Sequence, residues 1–261
     1  MTAKLYVILG SHACRTGMLL LEHKGIEYET VRVPTVLHPL AVRLHRFPAN
    51  PAPFRLVGDR PHHMLGIADR LGTVPSLELD GRRVKTNREI ARFLDRVRPE
   101  PPLFPTDAQH RAAVEEAERW GDEVLQMEAR RLVLAASLHR GGGLVNRGDD
   151  GRLGTLLWHS RRVRLIGARL LALFTFRASR RTERQLLAGL PRLLDRVDGW
   201  IEAGVLIGDR LYAADYMIAP SLALLCYRPD ARTQIEDRPA GRLVDRLLPD
   251  PAASPLATAA A

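Results

Sequence analysis

The sequence predicts a two-domain protein, in which a βαβ–ββα domain built on a mixed four-stranded sheet precedes an all-helical domain. Three observations predict it: alternating strand and helix signals up to residue 98, a hairpin signal at Asp80-Gly81, and helical periodicity alone after a proline-rich break. With 261 residues, 46% hydrophobic and 26% charged, the chain is long enough for two cores. We expect the first domain over residues 1–98 with an insertion near 47–70, a linker over 99–105, the helical domain over 106–248, and a disordered tail over 249–261.

The first half of the α/β domain has the pattern of a βαβ unit. Residues 5–9 form a continuous apolar run, as in a strand covered on both faces of a sheet with parallel pairing, and the run ends at Gly10. Residues 13–24 are helical in character, and Gly25 stands where a left-handed cap would end the helix. Residues 28–33 then alternate in polarity, which predicts a second strand.

The second half of this domain predicts a hairpin and a helix. Strand-like residues 74–79 and 82–85 flank Asp80-Gly81, a pair that favours the positive φ angles of a type I′ turn. A capping box over residues 86–89 then starts a helix with an apolar stripe. Pro99, Pro101 and Pro102 end that helix and mark the linker.

Residues 34–72, between these halves, are long and irregular. Residues 37–47 suggest one helix with Leu40, Leu44 and Phe47 on an apolar face. Four prolines make residues 47–60 a poor candidate for regular structure, which predicts the insertion. In the second domain, Asp107 is a natural N-cap, and an apolar helix near 215–226 is predicted to be buried.

Composition and charge limit which cellular compartment and which binding partners we expect for this protein. Two distant cysteines exclude a disulfide framework and, with no secretory signal at the start, predict a cytoplasmic protein. The net charge of +9 comes almost wholly from dispersed arginines, so the patches 161–164 and 177–184 are interpreted as solvated helix faces and a linker rather than a nucleic-acid site. We expect no membrane partner, because no apolar run reaches the length of a spanning helix, and no metal site, because the histidines lack ligand spacing.

Four segments, taken in order, resemble the glutathione-transferase superfamily over most of the chain. They are residues 11–15 after the first strand, 72–77 before the hairpin, 92–94 in the third helix, and 206–209 leading to Asp215. The resemblance implies the glutathione-transferase fold, with a thioredoxin-like first domain. It also implies a transferase or isomerase that activates a low-molecular-weight thiol, as its thiolate, for attack on an apolar electrophile.

The resemblance assigns candidate site residues. Ser11 matches the serine that donates a hydrogen bond to the bound thiolate, and His12 would line the same mouth. Val74-Pro75 matches the cis-proline turn whose preceding residue offers its backbone to the thiol. Thr86-Asn87 stands where most members carry Glu or Gln followed by Ser, so the bound thiol is either glutathione or another cellular thiol.

Alternatives stay open at each of these positions. Ser11 is equally well explained as a helix N-cap. Cys14 lies three residues later, in a helical first turn beside Arg15, which suggests a second, redox-active candidate and a thiol–disulfide oxidoreductase. The third hypothesis is a non-catalytic protein that uses this fold for binding. Thr86-Asn87 and the predicted insertion motivate it. Members of the superfamily commonly dimerise, which leaves a homodimer open.

Overall fold

The structure is a computed structural model that describes residues 2–8, 10–34, 37–49, 56–57, 60–61, 72–138 and 169–249. The chain divides into two compact units, Met1–Phe104 and Pro105–Ala261, which are described separately. Most of the insertion predicted near 47–70 and all but the first residue of the predicted tail lie outside the described residues.

The first unit contains the mixed four-stranded sheet that the sequence predicts. Its strands run in the order β2-β1-β5-β6, where β1 is Ala3–Val7, β2 is Glu29–Arg32, β5 is Ser76–Leu79 and β6 is Arg82–Lys85. β1 is parallel to β2 and antiparallel to β5, which pairs in turn with β6. Two short strands, β3 (Leu56–Val57) and β4 (Arg60–Pro61), form a separate antiparallel pair within the predicted insertion.

Three helices accompany this sheet among the described residues of the first unit, and short-range signals set their ends. They are α1 (His12–His23), α2 (His38–Leu44) and α3 (Asn87–Val97). Gly25 has a φ of +58°, the left-handed conformation that the sequence predicts after α1. Asp80 and Gly81 both have positive φ, so the predicted hairpin turn is confirmed.

The apolar face predicted for α2 is wrong. The helix ends at Leu44, and Arg46, with a φ of +62°, redirects the chain so that Phe47 enters a core cluster with Val42. Leu40 and Leu44 lie exposed instead. The periodicity failed because it assumed that the helix continued as far as Phe47.

The second unit consists of helices in its described parts. They are α4 (Ala108–Trp120), a π-helical turn (Gly121–Leu125) that continues into α5 (Gln126–Ala135), a 3-10 turn (Ala136–Leu138), a second π-helical turn (Leu171–Thr175), α6 (Arg180–Glu202), α7 (Ala213–Leu225), α8 (Pro229–Ile235) and α9 (Pro239–Leu247). The predicted burial of α7 is confirmed, because twelve of its thirteen residues are buried. Within the described part of the chain, no helix combines the length and the hydropathy needed to cross a membrane.

One buried carboxylate organises the start of α7. Asp215 accepts hydrogen bonds from the backbone N–H groups of Ile207 and Tyr212, both at 2.8 Å. Burial raises the pKa of Asp215 to about 6, although these two bonds act in the opposite direction. The carboxylate therefore satisfies backbone donors at the cost of its own desolvation.

Candidate functional site

A tight turn places Ser11 at the N-terminus of α1. The N–H of Ser11 donates to the carbonyl of Ile8 at 3.3 Å, and Gly10 within this turn has a φ of +72°. The Ser11 hydroxyl accepts a hydrogen bond from the N–H of Cys14 at 3.4 Å, so Ser11 is the N-cap of α1. The capping alternative predicted from the sequence is thereby confirmed.

The cap bond leaves the Ser11 hydroxyl able to donate. A hydroxyl has one proton and two lone pairs, and the bond from Cys14 uses only a lone pair. Ser11 is half-buried, and the first turn of α1 contains no acidic residue to oppose an incoming anion. The capping and anion-stabilising roles are therefore compatible, and the second stays a prediction.

The neighbouring candidates, His12 and Cys14, are both buried. Cys14 is 1% exposed, and its Sγ accepts a hydrogen bond from the N–H of Ile8 at 3.4 Å. Arg15, which follows it in the sequence, directs its guanidinium to Glu22 at 3.0 Å. The local geometry thus gives Cys14 a packing role, and its redox reactivity stays a prediction.

The turn before β5 lies against the middle of α1. The Val74–Pro75 peptide bond is cis, as the sequence predicts. The backbone N–H and C=O of Val74 form no hydrogen bond with any described residue, so both groups remain available to a ligand. A Cβ added at Gly17 would lie 3.1 Å from Cβ and 3.2 Å from Cγ of Pro75. Gly17 therefore permits the close approach of this turn to α1.

Asn87 joins the start of α3 to the same place. Its side-chain amide donates to the carbonyl of Ala13 at 2.9 Å, and the residue is buried. Its Oδ1 has no hydrogen-bond partner among the described residues and would lie 3.5 Å from a Cβ at Gly17. The structure thus brings the beginnings of α1 and α3 and the Val74–Pro75 turn together around Gly17.

Thr86 occupies an unusual backbone conformation at this junction. Its φ is +65° and its ψ is 144°, in a region that a β-branched residue rarely enters. It is the N-cap of α3, and its hydroxyl accepts from the N–H of Glu89 at 3.3 Å. Such strain persists only where the surroundings impose it, and it is concentrated at functional sites. Sequence reasoning found Thr86 but not its conformation.

Substitutions at Thr86 are expected to separate strain from capping. We expect Thr86→Gly to have a free energy of unfolding about 1 to 2 kcal/mol higher than that of Thr86→Ala, because only glycine adopts positive φ without steric cost. Both variants remove the capping hydroxyl, so alanine is the matched control. Urea denaturation of the full chain measures the difference, and equal stabilities would show that the conformation at residue 86 is not strained.

Gly17 gives a second prediction. We expect Gly17→Val to lower the free energy of unfolding by about 2 to 3 kcal/mol, because the new side chain overlaps Pro75. Gly199 in α6 is the control, since a Cβ there meets nothing within 4 Å. Gly199→Val should be nearly neutral in the same thermal or urea unfolding experiment. A loss in Gly17→Val no larger than that in Gly199→Val would argue against contact with Pro75 as its cause, because valine has a higher helix propensity than glycine at both positions.

Among the residues that the structure describes, no group of three or more His, Cys, Asp or Glu side chains is placed to hold a metal ion. The groups of the candidate site are the hydroxyl, backbone and helix-terminal groups described above.

Comparison with known proteins identifies the fold. No protein-family model matches the sequence, and no curated protein is detectably similar to it. The chain is similar in structure to a glutathione S-transferase of Ceriporiopsis subvermispora in complex with glutathione, with 18% identity, 95% of this chain and 96% of that one covered, and a TM-score of 0.60.

Two further structures agree. A glutathione S-transferase from Rhodospirillum rubrum is 21% identical to this chain. The match covers 93% of this chain and 91% of that one, with a TM-score of 0.51. The beta-etherase LigF from Sphingobium is 19% identical to this chain. The match covers 94% of this chain and 99% of that one, with a TM-score of 0.53. The chain therefore has the glutathione-transferase fold.

Proposed function

We propose that this protein binds a low-molecular-weight thiol at the start of α1 and uses Ser11 to stabilise the thiolate for attack on an apolar electrophile. The observation that carries the proposal is the packing of α1, the Val74–Pro75 turn and the start of α3 around Gly17, where a Cβ would contact Pro75 and where Asn87 donates to the carbonyl of Ala13. Ser11 and Thr86 are the N-caps of the two helices that meet there. Glutathione-transferase-like proteins that share this fold, one of them in complex with glutathione, support it.

The proposed chemistry needs groups that stabilise a bound thiolate anion. A free thiol has a pKa of about 8.5, and only the thiolate is a strong nucleophile. A hydroxyl donor from Ser11 and the positive end of α1 both favour the anion, so the thiolate would be populated near neutral pH. The unpaired backbone of Val74 would align the remainder of the thiol compound as a short extended segment.

The start of α3 favours an anionic group on that compound. The Thr86 hydroxyl accepts its cap bond through a lone pair and keeps its proton to donate, and the helix terminus adds partial positive charge. Thr86 supplies no carboxylate that would pair with an amine. We therefore propose a thiol with a carboxylate, recognised without an ion pair from residue 86 to an amino group.

Calorimetric titration with glutathione and with its analogue lacking the γ-glutamyl amine tests this proposal. We expect both to bind with dissociation constants within about threefold of each other, because residue 86 forms no ion pair with the amine that its removal would break. Strong preference for glutathione would mean that another residue recognises the amine. Failure of these and other cellular thiols to bind would reject a thiol site and favour the non-catalytic reading.

Ser11 variants separate its two roles. We expect Ser11→Ala to lower turnover of a chromogenic aryl halide by roughly a hundredfold, the usual effect of losing one anion-stabilising donor. Ser11→Asp is the matched control for folding, because Asp caps helices as well as Ser but cannot donate to a thiolate. We expect it to unfold like the wild type and to be as inactive as Ser11→Ala. Full activity in Ser11→Ala would leave Ser11 as a cap only.

Cys14 is tested in the same assays. The burial of both free cysteines supports a reducing compartment, and we propose the cytoplasm. We expect Cys14→Ala to retain transferase turnover. Loss of disulfide reduction in that variant, with transferase turnover unchanged, would instead favour the oxidoreductase reading.

A further inference from the structure

Three large apolar side chains lie exposed in and just before the second π-helical turn. Leu170 is 52% exposed, Leu173 49% and Phe174 74%. We call these three residues the apolar tip. Large apolar side chains grouped on a surface usually mark a contact with another apolar phase or partner, because leaving them in water is unfavourable.

The same segment turns its small residues inward. Ala172 and Ala178 pack in a buried cluster with Ala135, and the N–H of Ala178 donates to the carbonyl of Ala172 at 2.7 Å. Arg169 fixes the start of the segment by donating to the carbonyl of Ser137 at 2.8 Å. This arrangement is the reverse of a solvent-facing helix, in which the large apolar residues face the core. The tip is thus held outward by the fold.

Exposed arginines follow the tip directly. Three of them are Arg180, Arg181 and Arg184, which we call the arginine rim. The Ala172–Ala178 hydrogen bond places the chain entering α6 beside the π-helical turn, so rim and tip are neighbours. No described residue forms an ion pair with Arg180, Arg181 or Arg184.

No acidic side chain offsets this charge within the segment. Between residues 169 and 184 the sequence holds five arginines and one acidic residue, Glu183. Glu183 is buried and paired with Arg228 at 2.5 Å, so its charge is already neutralised. The surface therefore combines exposed Leu and Phe with uncompensated positive charge.

We propose that the apolar tip and arginine rim dock on an anionic lipid surface. A leaflet with acidic headgroups supplies both an apolar layer for Phe174 and the two leucines and negative charge for the rim. The rim carries charge of one sign only, and a leaflet with acidic headgroups offers a continuous surface of the opposite sign. The expectation of no membrane partner considered only spanning segments, and a peripheral contact needs none.

Vesicle co-sedimentation of the full chain tests the proposal. We expect binding to mixed phosphatidylcholine–phosphatidylglycerol vesicles at low salt to be at least about tenfold stronger than binding to phosphatidylcholine alone, and to weaken as salt is added. Phe174→Ser should lower binding about tenfold, because burial of one aromatic side chain is lost. Leu44→Ser is the matched control, since Leu44 is an equally exposed apolar residue in the other unit, and it should bind like the wild type.

Two double variants that remove the same amount of charge separate the effect of the arginine rim on vesicle binding from the effect of the net charge. We expect Arg180→Ser/Arg181→Ser to lower binding about tenfold, and Arg210→Ser/Arg242→Ser, which removes the same charge from exposed positions elsewhere, about twofold or less. Equal losses in the two double variants, or vesicle binding unchanged by Phe174→Ser, would overturn the proposal. A concentration-dependent dimer that Phe174→Ser dissociates, or duplex DNA binding that the same variant weakens equally, would also overturn it.

Discussion

Lys24→Met should lower the free energy of unfolding by about 3 kcal/mol or more, because Lys24 is a fully buried cation that holds the end of the first unit together. Its side chain is 0% exposed. Its Nζ donates to Oδ1 of Asp95 and to the carbonyl of Arg98, both at 2.8 Å, and to the carbonyl of Pro101 at 2.5 Å. Methionine fills a similar volume but cannot donate a hydrogen bond to any of these three acceptors.

Asp95 links the same contact to the chain beyond α3. Its Oδ1 also accepts from the N–H of Leu103 at 2.7 Å, so one carboxylate oxygen joins the end of α1 to the segment after the prolines. Breaking one side of a buried ion pair leaves the other charge uncompensated. We therefore expect Lys24→Met/Asp95→Asn to lose less stability than the sum of the two single variants.

Lys4 provides the comparison for Lys24→Met. Its Nζ lies 3.9 Å from Oε2 of Glu29, and both side chains are largely exposed. We expect Lys4→Met to change the free energy of unfolding by no more than about 0.5 kcal/mol. Urea denaturation of both variants measures the contrast. If Lys24→Met lost no more stability than Lys4→Met, the buried acceptors would have found water or another donor.

The contrast between the two lysines shows where sequence reasoning ends. The strands, the Asp80-Gly81 turn and the ends of α1 and α3 depend on residues close together in the sequence, and they were predicted to within two residues. Lys24 is the C-cap of α1, a position where a lysine is ordinarily solvated. Its burial depends on carbonyl groups more than seventy residues away, at positions 98 to 101. No local pattern carries that information.

The candidate site divides in the same way. Ser11 as a helix cap and the Val74–Pro75 turn follow from short motifs, and both are found in the structure. The positive φ of Thr86 was not foreseen, because nothing in a threonine indicates left-handed backbone. Gly17 was not predicted as part of the site, although its residue type, unlike that of Thr86, does carry a signal. A glycine inside a helix is a recognisable signal of close packing, but what it packs against, Pro75, is settled only by the fold.

Asp215→Ala is expected to have the other large effect, a loss of about 3 kcal/mol in the free energy of unfolding. The carboxylate is fully buried and accepts from the N–H groups of Ile207 and Tyr212, which would both lose their partner. Ile207 has a φ of +53°, unusual for a β-branched residue, so its bond to Asp215 also holds a strained loop in place. Release of that strain offsets only part of the loss.

Two further variants show whether hydrogen bonding at Asp215 is the cause. Asp215→Asn keeps one oxygen acceptor and removes the desolvated charge, so its loss should be clearly smaller than that of Asp215→Ala. Asp209, an exposed carboxylate in the same loop, is the control, and Asp209→Ala should lie within about 0.5 kcal/mol of the wild type. Equal losses for Asp215→Asn and Asp215→Ala would mean that the charge itself, rather than an oxygen acceptor, is required at the start of α7. In that case the attraction between the negative carboxylate and its two N–H donors would outweigh the cost of burying the charge. That cost is what raises the pKa of Asp215.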